Sequence, residues 1–167
     1  WKVLEPVDGK VALDVVTHHV YPDGGTAGSV IRRLDRDGDY PWEAPSVRTV
    51  LRRAGWLGRP FWVTETGYNA ASRTPAIEQA QQAFVVNLLR AAAVEVPWVH
   101  RFFLYEMADG SDTTGPGWGL VGAAPAFRRK AAFEGWRGHI AGTAVDDAEF
   151  VRVALPDRMQ PGEAANA

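Results

Sequence analysis

Pro60-Phe61-Trp62-Val63-Thr64-Glu65-Thr66-Gly67-Tyr68 decides the fold of this chain. Phe61, Trp62 and Val63 form a short apolar run between Pro60 and Gly67, the pattern of a strand buried on both faces beneath helices. The run stops at a carboxylate. Glu65 is therefore expected at the carboxyl end of a strand, where α/β folds build their sites. Read alone, such an acid can equally be a solvated strand terminus.

Working outward, residues 11–21 are rich in β-branched side chains and end at the turn cluster Pro22-Asp23-Gly24-Gly25, which predicts a buried strand leaving into a loop. Residues 26–45 show no periodicity and read as a long loop. Ser46 suits the N-cap of a short helix over 47–54, with Val47, Val50, Leu51 and Ala54 on one face. Past Glu65, Thr74-Pro75 opens a helix whose inner face is Ile77, Ala80, Phe84, Leu88 and Ala91, continuing to about residue 95 before Pro97 stops it. Residues 98–105 predict a third strand, followed by a polar, glycine-rich loop over 106–119 and a last helix over 125–140. A strand-like piece, 150–155, lies in a small, polar tail. Strands alternating with helices predict an α/β fold with parallel strands. The expected division is one unit over 1–142 and a tail over 143–167.

Composition narrows the function. The 167 residues suit one domain or slightly more. With 46% hydrophobic and 23% charged residues and a net charge of −2, the chain has a globular balance without the basic field that nucleic acid or an anionic membrane attracts. The apolar pattern at 83–98 is broken by Arg90 and Glu95, so no bilayer span is expected. The absence of cysteine removes disulfides, thiol nucleophiles and thiolate metal sites, and leaves the compartment open. The chain starts at Trp1 with neither Met nor a signal-like segment, the expectation being a processed protein or a piece of a longer one. Seven Trp, seven Phe and four Tyr serve either as core or as flat platforms for sugar rings.

Several residues carry candidate chemistry. His19 and Tyr21 lie two apart on the first strand and project to one side, bringing an imidazole and a phenol within reach of a neighbouring carboxylate. His18 faces the other way, so the His18-His19 pair does not chelate one ion and no metal site is expected. Glu106 ends the third strand beside Tyr105, positioned either for substrate hydroxyls or for loop amides. Trp42, Tyr68 and Trp118 lie in the three post-strand loops, as sugar platforms or as loop anchors. Asp109-Gly110-Ser111-Asp112 lacks the spacing of a calcium loop. Gly115 to Gly119 is the one candidate phosphate nest for an enzyme of phosphorylated metabolites, although Pro116 and Trp118 suit a rigid sugar loop better.

Taken in order, five pieces resemble the last three strand–helix units of a clan A glycoside hydrolase, families 39 and 5 above all. They are Asp-Val-Val-Thr-His-His-Val-Tyr-Pro at 14–22, Pro-Phe-Trp-Val-Thr-Glu-Thr-Gly-Tyr at 60–68, Arg-Phe-Phe-Leu-Tyr-Glu-Met-Ala-Asp at 101–109, Gly-Leu-Val at 119–121 and Lys-Ala-Ala-Phe at 130–133. The resemblance implies strands six to eight of a TIM barrel, and a retaining enzyme needing no cofactor. It makes Glu65 the nucleophile, with Tyr21 and His19 as its sixth-strand partners, and secretion is the compartment it favours. The clan's acid/base glutamate sits in an Asn-Glu-Pro motif that is absent here, since Glu5-Pro6 lacks the Asn. A barrel also needs ~250 residues and eight strands. The expectation is thus a C-terminal portion whose amino-terminal barrel half lies elsewhere in a longer protein. A non-catalytic carbohydrate-binding or scaffold fragment is the alternative.

Overall fold

A computed structural model describes residues 14–38 and 44–142. The tail over 143–167, its strand-like piece, the Glu5-Pro6 dipeptide and Trp42 lie outside the described residues. Three parallel strands, β1 (Val16–His19), β2 (Phe61–Thr66) and β3 (Val99–Leu104), form a sheet in that order with β2 central. The helices are α1 (Ala27–Asp35), α2 (Val47–Arg53), α3 (Pro75–Glu95) and α4 (Ala131–Ile140). Among the described residues no helix is long and apolar enough to cross a membrane.

The α2 and α3 helices begin where their caps predict. The Ser46 hydroxyl accepts from Thr49 N–H at 3.2 Å and that of Thr74 from Ile77 N–H at 3.4 Å, with Pro75 opening the first turn of α3. The expected inner face of α3 is only part of what it buries. Residues 83–88 are all buried, because α1 and α4 flank the helix while the sheet lies beneath it. Phe61, Val63, Phe84, Leu88, Val30 and Leu34 make the centre of this core.

Two expectations are corrected. Residues 26–45 are not one long loop, because α1 occupies their first half. Thr26 caps α1 by accepting from Ser29 N–H at 3.2 Å, and Ala27, Val30, Ile31 and Leu34 form a buried stripe at helical spacing. Glycines and arginines around that stripe hide it. The last helix starts at residue 131, not 125. Residues 121–130 instead fold back on the preceding loop, with Val121 bridging Arg129 and Gly122 N–H donating to Arg128 O at 2.7 Å. The guanidinium of Arg128 then grips the Glu78 carboxylate with both nitrogens, tying this hairpin to the first turns of α3.

The sheet has one covered and one open face. Phe61 and Val63 point into the helices, whereas Trp62 between them points away and meets the Phe103 ring at 6.0 Å. Phe103 remains 46% exposed and Met107, past the end of β3, 54%. Among the described residues β1 and β3 each pair only with β2.

Candidate active site

The carboxyl ends of the three strands converge on Glu65. Opposite β1, Val63 pairs with His18 but Glu65 with His19. Opposite β3, Val63 pairs with Phe102 but Thr66 with Leu104. Past Val63, β2 therefore carries one extra residue against both neighbours, whereas between Phe61 and Trp62 the extra residue lies on β3. A bulge of this kind re-aims the side chains beside it, here setting Glu65 opposite His19.

Two groups from β1 and its continuation meet one oxygen of Glu65. Tyr21 Oη donates to Oε2 at 2.9 Å, and His19 Nδ1 lies 3.3 Å from the same atom. The Glu65 side chain keeps 35% of its exposure, so the group is anchored yet open to a ligand. Desolvation, reinforced by the hydrogen bond to Glu65 and by its charge, pushes the Tyr21 phenol far above its usual range. Tyr21 thus stays a donor across any physiological pH.

A layer of aromatic rings surrounds the pair. Trp118 meets Tyr21 edge-on at 5.2 Å, and Tyr105 stands 6.5 Å from Tyr21 and 6.3 Å from Trp118. The charge of Glu106 is the first cause raising the Tyr105 phenol, ahead of desolvation and a hydrogen bond between them, which brings Glu106 into the same cluster. Backbone crowds close behind. A Cβ on Gly67 would lie 2.1 Å from Tyr105 O and 3.3 Å from the Trp118 ring, so only glycine fits.

Glu65, His19, Tyr21, Glu106 and Trp118 are thus brought together, and Tyr68 is not. The Tyr68 ring packs on Phe84 at 5.9 Å and against Gly25, where it anchors its loop. The sequence marks Tyr105 only as a strand end; its approach to Tyr21 comes from the strand order, which no local pattern carries. The Asp109–Asp112 loop is occupied structurally, with Asp109 paired to Lys130 at 2.6 Å and Asp112 accepting from Ala123 N–H at 2.7 Å. In the Gly115–Gly119 run, Gly117 N–H donates to Asn69 Oδ1 at 2.8 Å and Gly119 N–H to Asp109 Oδ1 at 2.7 Å, an inward geometry unlike a phosphate nest.

The fold is similar to that of solved glycoside hydrolases. Similar solved structures are glycoside hydrolases. One is a β-glucuronidase from Bifidobacterium dentium, solved with coumarin-3-O-glucuronide, at TM-score 0.54 and 16% identity over 83% of this chain and 23% of that one. A monomeric β-xylosidase from Caulobacter crescentus CB15 matches at TM-score 0.49 and 21% identity, covering 78% of this chain and 28% of the xylosidase. The chain spans about a quarter of the length of these enzymes. No protein-family profile matches it, and no curated protein does.

Proposed function

We propose that this chain is the C-terminal part of a (β/α)8 retaining O-glycoside hydrolase of clan A, resembling families 39 and 5, with Glu65 as the nucleophile. The observation that carries the reading is the convergence of Tyr21 Oη and His19 Nδ1 on Glu65 Oε2. Both groups lie against one oxygen, leaving Oε1 to attack the anomeric carbon. In the first step the Oε1–C1 bond forms as the glycosidic C1–O bond breaks, and an acid carboxyl about 5–5.5 Å away protonates the leaving oxygen. In the second step water, deprotonated by the same group, displaces Glu65. That acid/base belongs to sequence outside this chain. Glu106 and Trp118 bind the sugar beside the nucleophile, and Trp42 belongs to the same proposal.

The open sheet face supports the barrel reading. Among the described residues, Trp62, Phe103 and the edges of β1 and β3 that pair with no strand are what the rest of a closed barrel would cover.

The test is azide rescue in the protein that carries this chain. Glu65→Ala is expected to abolish glycoside hydrolysis, and added azide to restore turnover of activated substrates, yielding a glycosyl azide of inverted anomeric configuration. Glu65→Ala with undiminished turnover, or a rescued product of retained configuration, contradicts the assignment.

A further inference from the structure

The nucleophile reading leaves one buried polar cluster unused. The Lys130 and Asp109 side chains are 1% and 0% exposed, and the Lys130 Nζ–Asp109 Oδ2 distance is 2.6 Å. Gln81, buried on α3, directs Nε2 at four main-chain carbonyls: Tyr68 O at 3.0 Å, Gly117 O at 3.2 Å, Trp118 O at 3.1 Å and Gly119 O at 3.3 Å. Lys130 Nζ also reaches Gly117 O at 3.4 Å, and Asp109 Oδ1 accepts from Gly119 N–H at 2.7 Å. Apolar side chains of similar volume would join two helices to a loop as well as this cluster does, without its desolvation cost. They cannot grip consecutive peptide groups. The three residues gripped are Trp118 and its two neighbours, and the Trp118 ring lies edge-on to the tyrosine that holds Glu65.

We propose that Gln81 and the Asp109–Lys130 pair form a positioning cluster that fixes Trp118 against Tyr21 and, resting on the reading of Glu65 above, thereby sets the hold of Tyr21 on Glu65. The cluster touches no substrate and acts through Trp118. It explains why buried polar groups stand in the second turn of α3 and at the N-cap of α4, where a mobile Trp118 would let the Tyr21 ring swing.

The experiment labels the protein with 5-fluorotryptophan and assigns the Trp118 fluorine resonance by its loss in Trp118→Phe. Two variants remove the grip while keeping volume and leaving no lone buried charge: Gln81→Met, and the double change Asp109→Asn with Lys130→Met. In whichever variant keeps the parent circular dichroism, the Trp118 resonance is expected to shift or broaden while those of Trp62 and Trp98 stay in place. Inactivation by a 2-fluoro-glycoside is expected to slow about tenfold or more at saturating reagent, with reagent affinity nearly unchanged, as a small misplacement near the reacting atoms predicts. A stationary Trp118 resonance in a folded variant overturns the proposal. So does loss of fold in both variants, which makes the cluster a folding element alone, and so does a moved resonance with unaltered inactivation. If the parent protein is never labelled at Glu65 while the resonance moves, it is the nucleophile reading that has failed, and Trp118 positioning stands.

Discussion

At the scale of single residues, the site depends on one inserted residue and one glycine. The spacing of His19 and Tyr21 makes their shared side legible in the sequence, and the abrupt end of an apolar run marks Glu65. The bulge in β2 is not legible, because an alternation pattern carries no record of how many residues face each neighbour. Tyr21→Phe removes a hydrogen bond to a charged group, worth about 1.5–3 kcal/mol. Glycosylation of Glu65, followed with a 2-fluoro-glycoside, is therefore expected to slow between about tenfold and hundredfold. Gly67→Ala puts a methyl group into the Tyr105 carbonyl, and the backbone has no flexible side chain to give way. A destabilisation of at least about 1–3 kcal/mol by denaturant titration is expected, together with loss of the Tyr21–Trp118 contact.

At the scale of elements, the helices show what local signals deliver. α3 announces itself through a cap, a proline and about four turns of periodicity, while α1 has a faultless stripe and an arginine-rich, glycine-flanked surface that disguises it. The Gln81 grip and the Asp109–Lys130 pair link segments far apart in the chain, so no window of sequence shows them. Leu88→Ala, in the centre of α3, is expected to cost about 2–5 kcal/mol, read from the denaturation midpoint. The entry to α2 carries a pH signature. Asp37 accepts from Ser46 N–H and Oγ at 2.8 Å each and from Thr49 Oγ1 at 2.9 Å, and these bonds, the backbone one foremost, hold its carboxyl below the usual range. A carboxyl lowered by folding stabilises the fold above its unfolded value of about 3.9, and that contribution fades as pH falls through the lowered value. The stability gap between the parent and Asp37→Asn is thus expected to be constant near neutrality and to close below about pH 4, as thermal melts across that range will show.

At the scale of the whole molecule, the sheet is finished on one side only. Its helix-covered face is an ordinary core, but among the described residues Trp62 and Phe103 on the other face and the outer edges of β1 and β3 leave apolar surface and unpaired backbone uncovered. Such a surface invites edge-to-edge pairing. The isolated chain is expected to self-associate, and Phe103→Lys to raise its monomer fraction in sedimentation velocity without lowering its melting temperature. An isolated chain that is monomeric at all concentrations would mean that the face needs no cover. The α/β class and the parallel run of the strands are legible in the alternation of strand and helix signals, whereas the order of the strands and the one-sidedness of the sheet among the described residues are properties of the assembled fold.

The central claim is that Glu65, held by Tyr21, attacks a glycosidic carbon. The most direct measurement is trapping with a 2-fluoro-glycoside in the protein that carries this chain, followed by proteolysis and peptide mass spectrometry. The account predicts a covalent sugar on the peptide containing Glu65, lost in Glu65→Gln. A sugar found on any other residue contradicts it.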